Sequence, residues 1–257
     1  LTLLPDTLPI DIAQEAKAPV IRALDMSMLT VEDLVNLILQ RSEVLFDMPR
    51  SGQVIRAWNA GDEGPIRGCV ERYGDEIARR AAGVIHAEYR RLAPLLLADP
   101  PARVADIGCG YALFDLFLAR DTAASLVLID IEQNTRRHFG YADEGAAYSN
   151  LSVARALLEA NGIAAQRIET VNPERADLGA VAPVDLAVSF LSCGFHFPAS
   201  TYAMYFRESV MPGGAILLDL RAATATAQLA GLEGLGTVRD LPAPAKARRI
   251  LLRKVAR

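Results

Sequence analysis

The sequence predicts an α/β fold: a doubly wound, mostly parallel seven-stranded sheet with an antiparallel C-terminal hairpin, preceded by a helical N-terminal extension. Three observations carry this. From Pro101 onward, seven short runs rich in Val, Ile and Leu recur, most of them separated by helix-like segments. Parallel neighbours need such crossovers, so this alternation implies a parallel sheet covered on both faces. The last two runs are joined by the short link PAPAKA, which suits a turn between antiparallel neighbours. Residues 1–100 have a different texture, with apolar positions at helical spacing.

Taken in order, TVEDLVNLILQRSEVLF (30–46) opens on a threonine cap and predicts a helix. DMPRSGQVIRAWNAGDEGPIRG (47–68) reads as irregular, punctuated by Pro49, Gly52, Gly61, Gly64 and Pro65. GDEIARRAAGVIHAEYRRLAPLLL (74–97) predicts a second helix. The strand runs are RVADIG, SLVLIDI, QRIETV, VDLAVSF, GGAILLDL, TVRDL and ARRILLRKV. Helices are expected at YALFDLFLAR, EGAAYSNLSVARALLEA, TYAMYFRESV and TATAQLAGLEG.

Bulk properties narrow the partners. A net charge of -4 gives no general attraction for nucleic acid or anionic lipid. Cys69, Cys109 and Cys193 form no CxxC pair, so no disulfide framework or zinc site is expected, which fits a reducing compartment. No apolar stretch is long enough for a membrane span. The opening LTLLPDTLPIDIAQEA lacks the basic region of a secretion signal, so a cytoplasmic protein with no membrane partner is expected.

The stretch that carries chemistry is RVADIGCGYALFDLFLAR, residues 103–120. An apolar run reaches Asp106; Gly108 and Gly110 then let the chain turn steeply and leave bare backbone for a ligand. In open α/β sheets ligands bind beyond the carboxyl ends of the strands, where strand order reverses. Asp130 ends the next strand, 24 residues after Asp106, and a carboxylate there can accept both hydroxyls of a ribose. Turn and acid together point to an adenosine-bearing cofactor. A dinucleotide fits poorly, because GxGxxG laid on Gly108 and Gly110 requires glycine where Leu113 stands. Asp106 would also set negative charge beside a pyrophosphate, whereas it suits a cofactor with a cationic end. No GxxxxGK[ST] phosphate loop occurs.

DIGCG, with the strand-end aspartate of LVLIDI 20 residues on, resembles the S-adenosylmethionine-binding core of class I methyltransferases. That family's D-x-G-x-G usually carries a further glycine two places on; here Ala112 stands there, and alanine does not enter left-handed geometry cheaply. VDLAVSF resembles the family's fourth-strand motif under the methyl-transfer site, and GGAILLDL its fifth strand after a Pro212-Gly213-Gly214 turn. The likeness covers about residues 100–257. It implies an S-adenosylmethionine-binding methyltransferase domain over 101–257, with residues 1–100 as a helical lid. By the resemblance Asp106 would sit near the amino end of the methionine portion, with Gly108 and Gly110 packed on the cofactor. Asp130 would bind the ribose, Ile131 would lie against adenine, and Asn172 would meet the adenine edge. Tyr111 would face the methionine portion or the substrate, and Ser189 would start the loop delivered to the reactive end.

Methyl transfer from a sulfonium needs alignment and exclusion of water more than covalent help, with a base for an O–H or N–H acceptor. The loop SFLSCGFHFPASTYAMYF offers His196, between Phe195 and Phe197, as the general-base candidate, since histidine ordinarily titrates near neutrality. Cys193 reads as a small apolar filler. No carboxylate lies between Ser189 and Arg207, and His86, His138 and His196 show no ligand spacing, so no catalytic metal is expected. Trp58, Arg67, Tyr73, His86 and Tyr89 are explained equally well by packing. RRAAGVIHAEYRR is the one short basic cluster outside a strand, and SFLSCGF replaces the D/N-P-P-Y motif of base N-methyltransferases. These features favour a small-molecule acceptor over nucleic acid or protein, with O- and N-methylation both open. RNA- or protein-directed transfer and a non-catalytic interaction domain are the alternatives; aminopropyl transfer lacks an acidic pair for a polyamine.

Overall fold

A computed structural model describes residues 9–132, 149–244 and 246–256. His138, the start of the 144–160 helix segment and Ala245 of the PAPAKA link lie outside the described residues. Short helices α1 (Ile12–Glu15) and α2 (Pro19–Arg22) lead into α3 (Val31–Gln40). Thr30 caps α3: its hydroxyl accepts from the Asp33 amide, and the Asp33 carboxylate accepts from the Thr30 amide in return. The helix expected to reach Phe46 stops at Gln40. Arg41 leaves helical backbone (φ -134°, ψ 64°) before a one-turn 3-10 helix at Ser42–Leu45.

The stretch expected to be irregular is largely helical. It holds α4 (Ser51–Asn59) and the start of α5 (Gly64–Leu96). Pro65 falls in the first turn of α5, where the missing N–H would have had no helical partner, so it opens the helix instead of breaking it. The helix kinks at Tyr73 (φ -131°, ψ 16°), next to the predicted start.

The sheet follows the predicted runs: β1 (Arg103–Ile107), α6 (Leu113–Asp121), β2 (Ser125–Ile129), α7 (Leu151–Ala160), β3 (Ile168–Val171) and β4 (Val184–Ser189). Then come α8 (Ala203–Glu208), β5 (Val210–Arg221), α9 (Ala225–Ala230), β6 (Gly236–Leu241) and β7 (Ala247–Lys254). The seven strands lie in the order β3-β2-β1-β4-β5-β7-β6. Strands β1 to β5 pair in parallel, while β7 runs antiparallel to both β5 and β6.

Side-chain alternation builds two cores. Val104, Leu126, Leu128, Leu186, Val188 and Leu217 pack in one cluster with residues of α3, α5, α6 and α7. Ala105, Ile107, Val127, Ile129, Ile216 and Leu218 pack in the other, with Tyr205 and Phe206 of α8 and Ala225 of α9. Strand order reverses between β1 and β4, which places a crevice beyond their carboxyl ends.

Candidate active site

A cavity of about 200 Å³ opens at that switch point. One wall is the turn after β1 (Asp106, Gly108, Cys109, Gly110 and Tyr111) together with Asp130 and Ile131 after β2. The loop after β4 supplies Phe190, Leu191, Ser192, His196, Phe197 and, further on, Tyr202. The N-terminal helices close the remainder with Leu37, Gln40, Arg41 and Glu43 near the end of α3, and with Ile85 and Glu88 of α5.

The turn is built by its backbone. Gly108, Gly110 and Ala112 all have left-handed backbone, at φ 74°, 58° and 56°. Holding alanine there costs about 1–2 kcal/mol. The turn offsets that with local bonds: the Gly108 amide donates to Ile129 O at 2.7 Å and the Ala112 amide to Cys109 O at 2.9 Å. The Gly110 amide donates to Asp130 Oδ2 at 3.0 Å, so the acid ending β2 also fastens the turn. A side chain at Gly108 would collide with the Ser192 hydroxyl, and one at Gly110 would meet the Gln40 amide group at 3.4 Å. Protein side chains therefore cover part of the backbone expected to face a ligand.

The floor is acidic. Asp106 and Asp130 are only 4% and 6% exposed, and Asp115, in the first turn of α6, is fully buried. Burial pushes the Asp106 carboxyl well above the ordinary range, and the neighbouring Asp115 and Asp130 push it further. Burial likewise raises Asp115. It raises Asp130 as well, against the donors Ser149, Gly110 and Glu132. The Cys109 thiol is driven up by burial and by the same three acids.

Charges across the cavity are internally matched. The Arg41 guanidinium donates to both Glu88 oxygens at 3.1 and 2.8 Å and to Glu43 at 3.3 Å. Burial would raise the Glu88 carboxyl, but Arg41, with help from Arg249 and Arg91, holds it below its ordinary value. Behind it Arg249 and Asp219 form a buried two-bond pair at 2.7 and 2.9 Å. The Arg249 guanidinium lies 5.3 Å from the Phe190 ring centre, and Phe190 sits 4.5 Å from Phe114.

Of the sequence-predicted residues, Asp106, Gly108, Gly110, Tyr111, Asp130, Ile131 and His196 share this cavity. Tyr111 turns its hydroxyl to α3, donating to Asp33 Oδ1 at 2.8 Å and accepting from Asn36 at 3.0 Å. Asn172 and Ser189 lie outside the cavity lining. The Asn172 amide donates to Ile131 O at 3.1 Å and to Glu132 at 3.3 Å, which shapes the loop after β2. The Ser189 hydroxyl donates to Ile107 O at 2.6 Å and accepts from the Cys193 amide at 2.9 Å, tying the β4 loop to β1. Cys193 is buried in the second core, its thiol pushed up to about 12 by burial. His86 packs on Phe117, 4.7 Å between ring centres, and Tyr89 donates to Asp121 at 2.6 Å; both face α6. Arg67 is held by Glu32 and Glu63 at 2.6 and 2.8 Å, also outside the cavity lining. Sequence reasoning missed Gln40, Arg41, Glu43, Glu88, Asp115 and Ser192; Asp115 and Ser192 lay in the two stretches already singled out for chemistry.

No protein-family model matches the sequence, and no curated protein matches it. Solved structures do. A candidate O-methyltransferase from Nostoc punctiforme aligns over 70% of this chain and 59% of its own, with 15% identity and a TM-score of 0.51. An O-methyltransferase family protein from Burkholderia thailandensis aligns over 86% of this chain and 72% of its own, with 15% identity and a TM-score of 0.46. The ribosomal protein L11 methylase of Lactobacillus delbrueckii subsp. bulgaricus aligns over 65% and 79%, with 16% identity and a TM-score of 0.47. The chain thus spans less than two thirds of the Nostoc protein's length. The likeness to that protein is one of architecture, and with the sheet order it shows a Rossmann-like fold. Among the described residues, no helix is long and apolar enough to cross a membrane, and no group of His, Cys, Asp or Glu is placed to hold a metal ion.

Proposed function

We propose that the chain transfers the methyl group of S-adenosylmethionine to an oxygen or nitrogen atom of a small acceptor. The observation that carries this is the pair of acids at adjacent strand ends in one cavity: Asp106, with a buried oxygen that meets no donor among the described residues, and Asp130. A buried carboxyl left so calls for a cationic partner. The amino-acid end of S-adenosylmethionine brings one, and Asp130 keeps acceptor capacity for ribose hydroxyls beyond the bonds from Gly110 and Glu132. The residues therefore fit the cofactor. When bound, it supplies a methyl carbon already activated by the sulfonium.

The protein's part is to bind, orient and exclude water. Residues 101–257 carry the cofactor turn, and residues 1–100 act as the lid, with Gln40, Arg41 and Glu88 in the wall. Phe114, Phe190, Leu191 and Phe197 give the acceptor an aromatic and apolar wall. His196 in that wall accepts the proton of an O–H or N–H acceptor. Three unpaired cysteines suit a reducing, cytoplasmic setting. Calorimetry with S-adenosylmethionine, S-adenosylhomocysteine and NAD tests the reading. Binding of the first two without NAD is expected; tight NAD binding with no response to either sulfur ligand overturns it.

A further inference from the structure

We propose that Asp106 and Asp115 act as one proton-sharing carboxyl pair beneath the cavity, which gives up its shared proton to solvent when the ammonium of the cofactor's amino-acid end docks on Asp106. Asp115 is then a positioning residue that acts through Asp106. The inference rests on the cofactor proposed above and goes beyond it, to a residue and a proton.

The two carboxyls come from different elements, β1 and the first turn of α6, and lie within hydrogen-bonding reach of each other in the interior. Asp106 lines the cavity, whereas Asp115 lies behind it, fully buried. Asp106 Oδ1 and both Asp115 oxygens are buried with no donor opposite them among the described residues. Two carboxylates so placed repel strongly, and one proton held between them turns that repulsion into a hydrogen bond. The raised titration of both acids agrees with this.

Among the described residues, the surroundings do not neutralise the pair. Asp130 faces it from the end of β2 and adds negative charge, and Cys109 in the turn is a neutral thiol. On the α3 side, Asp33 is engaged by Tyr111 and Thr30. In the far walls stand His196 and Arg41, the latter bound by Glu88. Among the described residues, no cation acts on Asp106 or Asp115.

Charge balance then fixes the exchange. With one shared proton the pair carries a single negative charge. An ammonium on Asp106 replaces that proton, and two carboxylates plus one ammonium again carry a single negative charge. One O–H bond breaks, the proton goes to solvent, and the ammonium N–H donates to Asp106; no electrons are transferred. The charge at the pair itself is unchanged, the ligand's own carboxylate taking no part in the exchange, and a low-dielectric site tolerates such a balanced exchange best.

Linkage gives the sign. Binding that releases a proton strengthens as pH rises, by up to about tenfold per pH unit while the free pair still holds its proton, and levels off above that range. The test is calorimetry of the full chain with S-adenosylhomocysteine in buffers of different ionisation enthalpy, between about pH 6 and about pH 8. Release of about one proton per ligand is expected. Asp115→Asn keeps the volume and can donate to Asp106, so binding should persist with little proton release and a flatter pH dependence. Protonation of the ligand's own amine would be an uptake common to both proteins, so their difference reads the pair. Wild-type binding without proton release overturns the inference, as does unchanged release in Asp115→Asn. The wild-type buffer series decides even if that variant does not fold. Absence of any binding to folded wild type overturns the cofactor reading itself, which separates the two failures.

Discussion

Replacing Tyr111 by Phe should loosen the helical lid from the glycine turn, by an amount the contacts set. The Tyr111 hydroxyl donates to Asp33 Oδ1 at 2.8 Å and accepts from Asn36 at 3.0 Å. Its residue is 2% exposed and both partners are 3% exposed, so water does not replace what is removed. Burial, with the charge of Asp33 and against the Asn36 amide, pushes the phenol up, so it remains a donor throughout the neutral range. Phenylalanine keeps the ring and leaves almost no cavity. The bond to Asp33 is worth about 1.5–3 kcal/mol and the bond from Asn36 about 1 kcal/mol, so a loss of roughly 2–4 kcal/mol is expected. Asp33 Oδ2 remains in the capping box with Thr30, so α3 itself should persist. In a chain of this size each kcal/mol moves Tm by about 2–4 °C, giving a fall of roughly 5–15 °C. Thermal and urea unfolding would measure it, and hydrogen exchange would show faster opening at α3. A loss below about 0.5 kcal/mol with unchanged protection of α3 would refute the reasoning.

Three further outcomes follow from the same geometry. Asp130→Ala should weaken S-adenosylhomocysteine binding by roughly 10- to 150-fold, as loss of a charge-assisted contact predicts; unchanged affinity in calorimetry would remove Asp130 from the ribose. Arg249→Ala leaves Asp219 buried without the partner that faces it across the β5–β7 pair, and should cost about 3–5 kcal/mol. Asp219→Leu with Arg249→Met should recover most of that in urea denaturation. The ligand-free protein should lose stability as pH rises. Burial first, and neighbouring acids for Asp106, raise Asp106, Asp115 and Asp130 in the fold. The native state therefore holds more protons than the unfolded chain above the ordinary carboxylate range near about pH 4. Stability contributed by those protons is complete below that range and is lost as pH climbs through the raised values. Denaturation midpoints at about pH 5 and about pH 8 would show it, and Asp115→Asn should flatten the difference.

The fold was legible where the sequence carries a strong period. All seven apolar runs became strands, and the short PAPAKA link did join an antiparallel pair. Pro65 misled because proline was read as a breaker, when a helix start tolerates it. The end of α3 was also missed, since nothing in LILQRSEVLF marks Arg41 as the break. That break matters, because it sets Gln40, Arg41 and Glu43 in the cavity wall. The turn could be read because glycine spacing and strand-end acids are local signals. Asn172 and Ser189 also stand at strand ends, but their side chains serve neighbouring backbone, a choice that only tertiary packing decides. Glu88 and Asp115 gave no signal. Glu88 is one acid among many polar residues of α5, with its partner 47 residues away, and Asp115 is one acid in a helix buried on nearly every side, facing a residue of a different element.

The distribution of charge separates the two ends of the cavity. Toward the β4 loop the arginines in and behind the described wall have counterions: Arg41 has Glu88, and Arg249 has Asp219. What that end offers a ligand is Phe114, Phe190 and Phe197, with Tyr202 5.7 Å from Phe197. At the glycine turn the opposite holds, since Asp106, Asp115 and Asp130 gather without a cation acting on them among the described residues. A ligand that spans the cavity is thus asked for positive charge at one end only. An acceptor entering from the other end needs apolar, planar surface and no charge of its own, because a charged group there would have to displace an ion pair already made. This asymmetry sets S-adenosylmethionine apart from NAD, whose pyrophosphate would bring negative charge to the acidic end. It also supports a small, partly apolar acceptor ahead of a phosphate-rich one, because among the described residues the cavity wall offers phosphate no unmatched arginine or lysine.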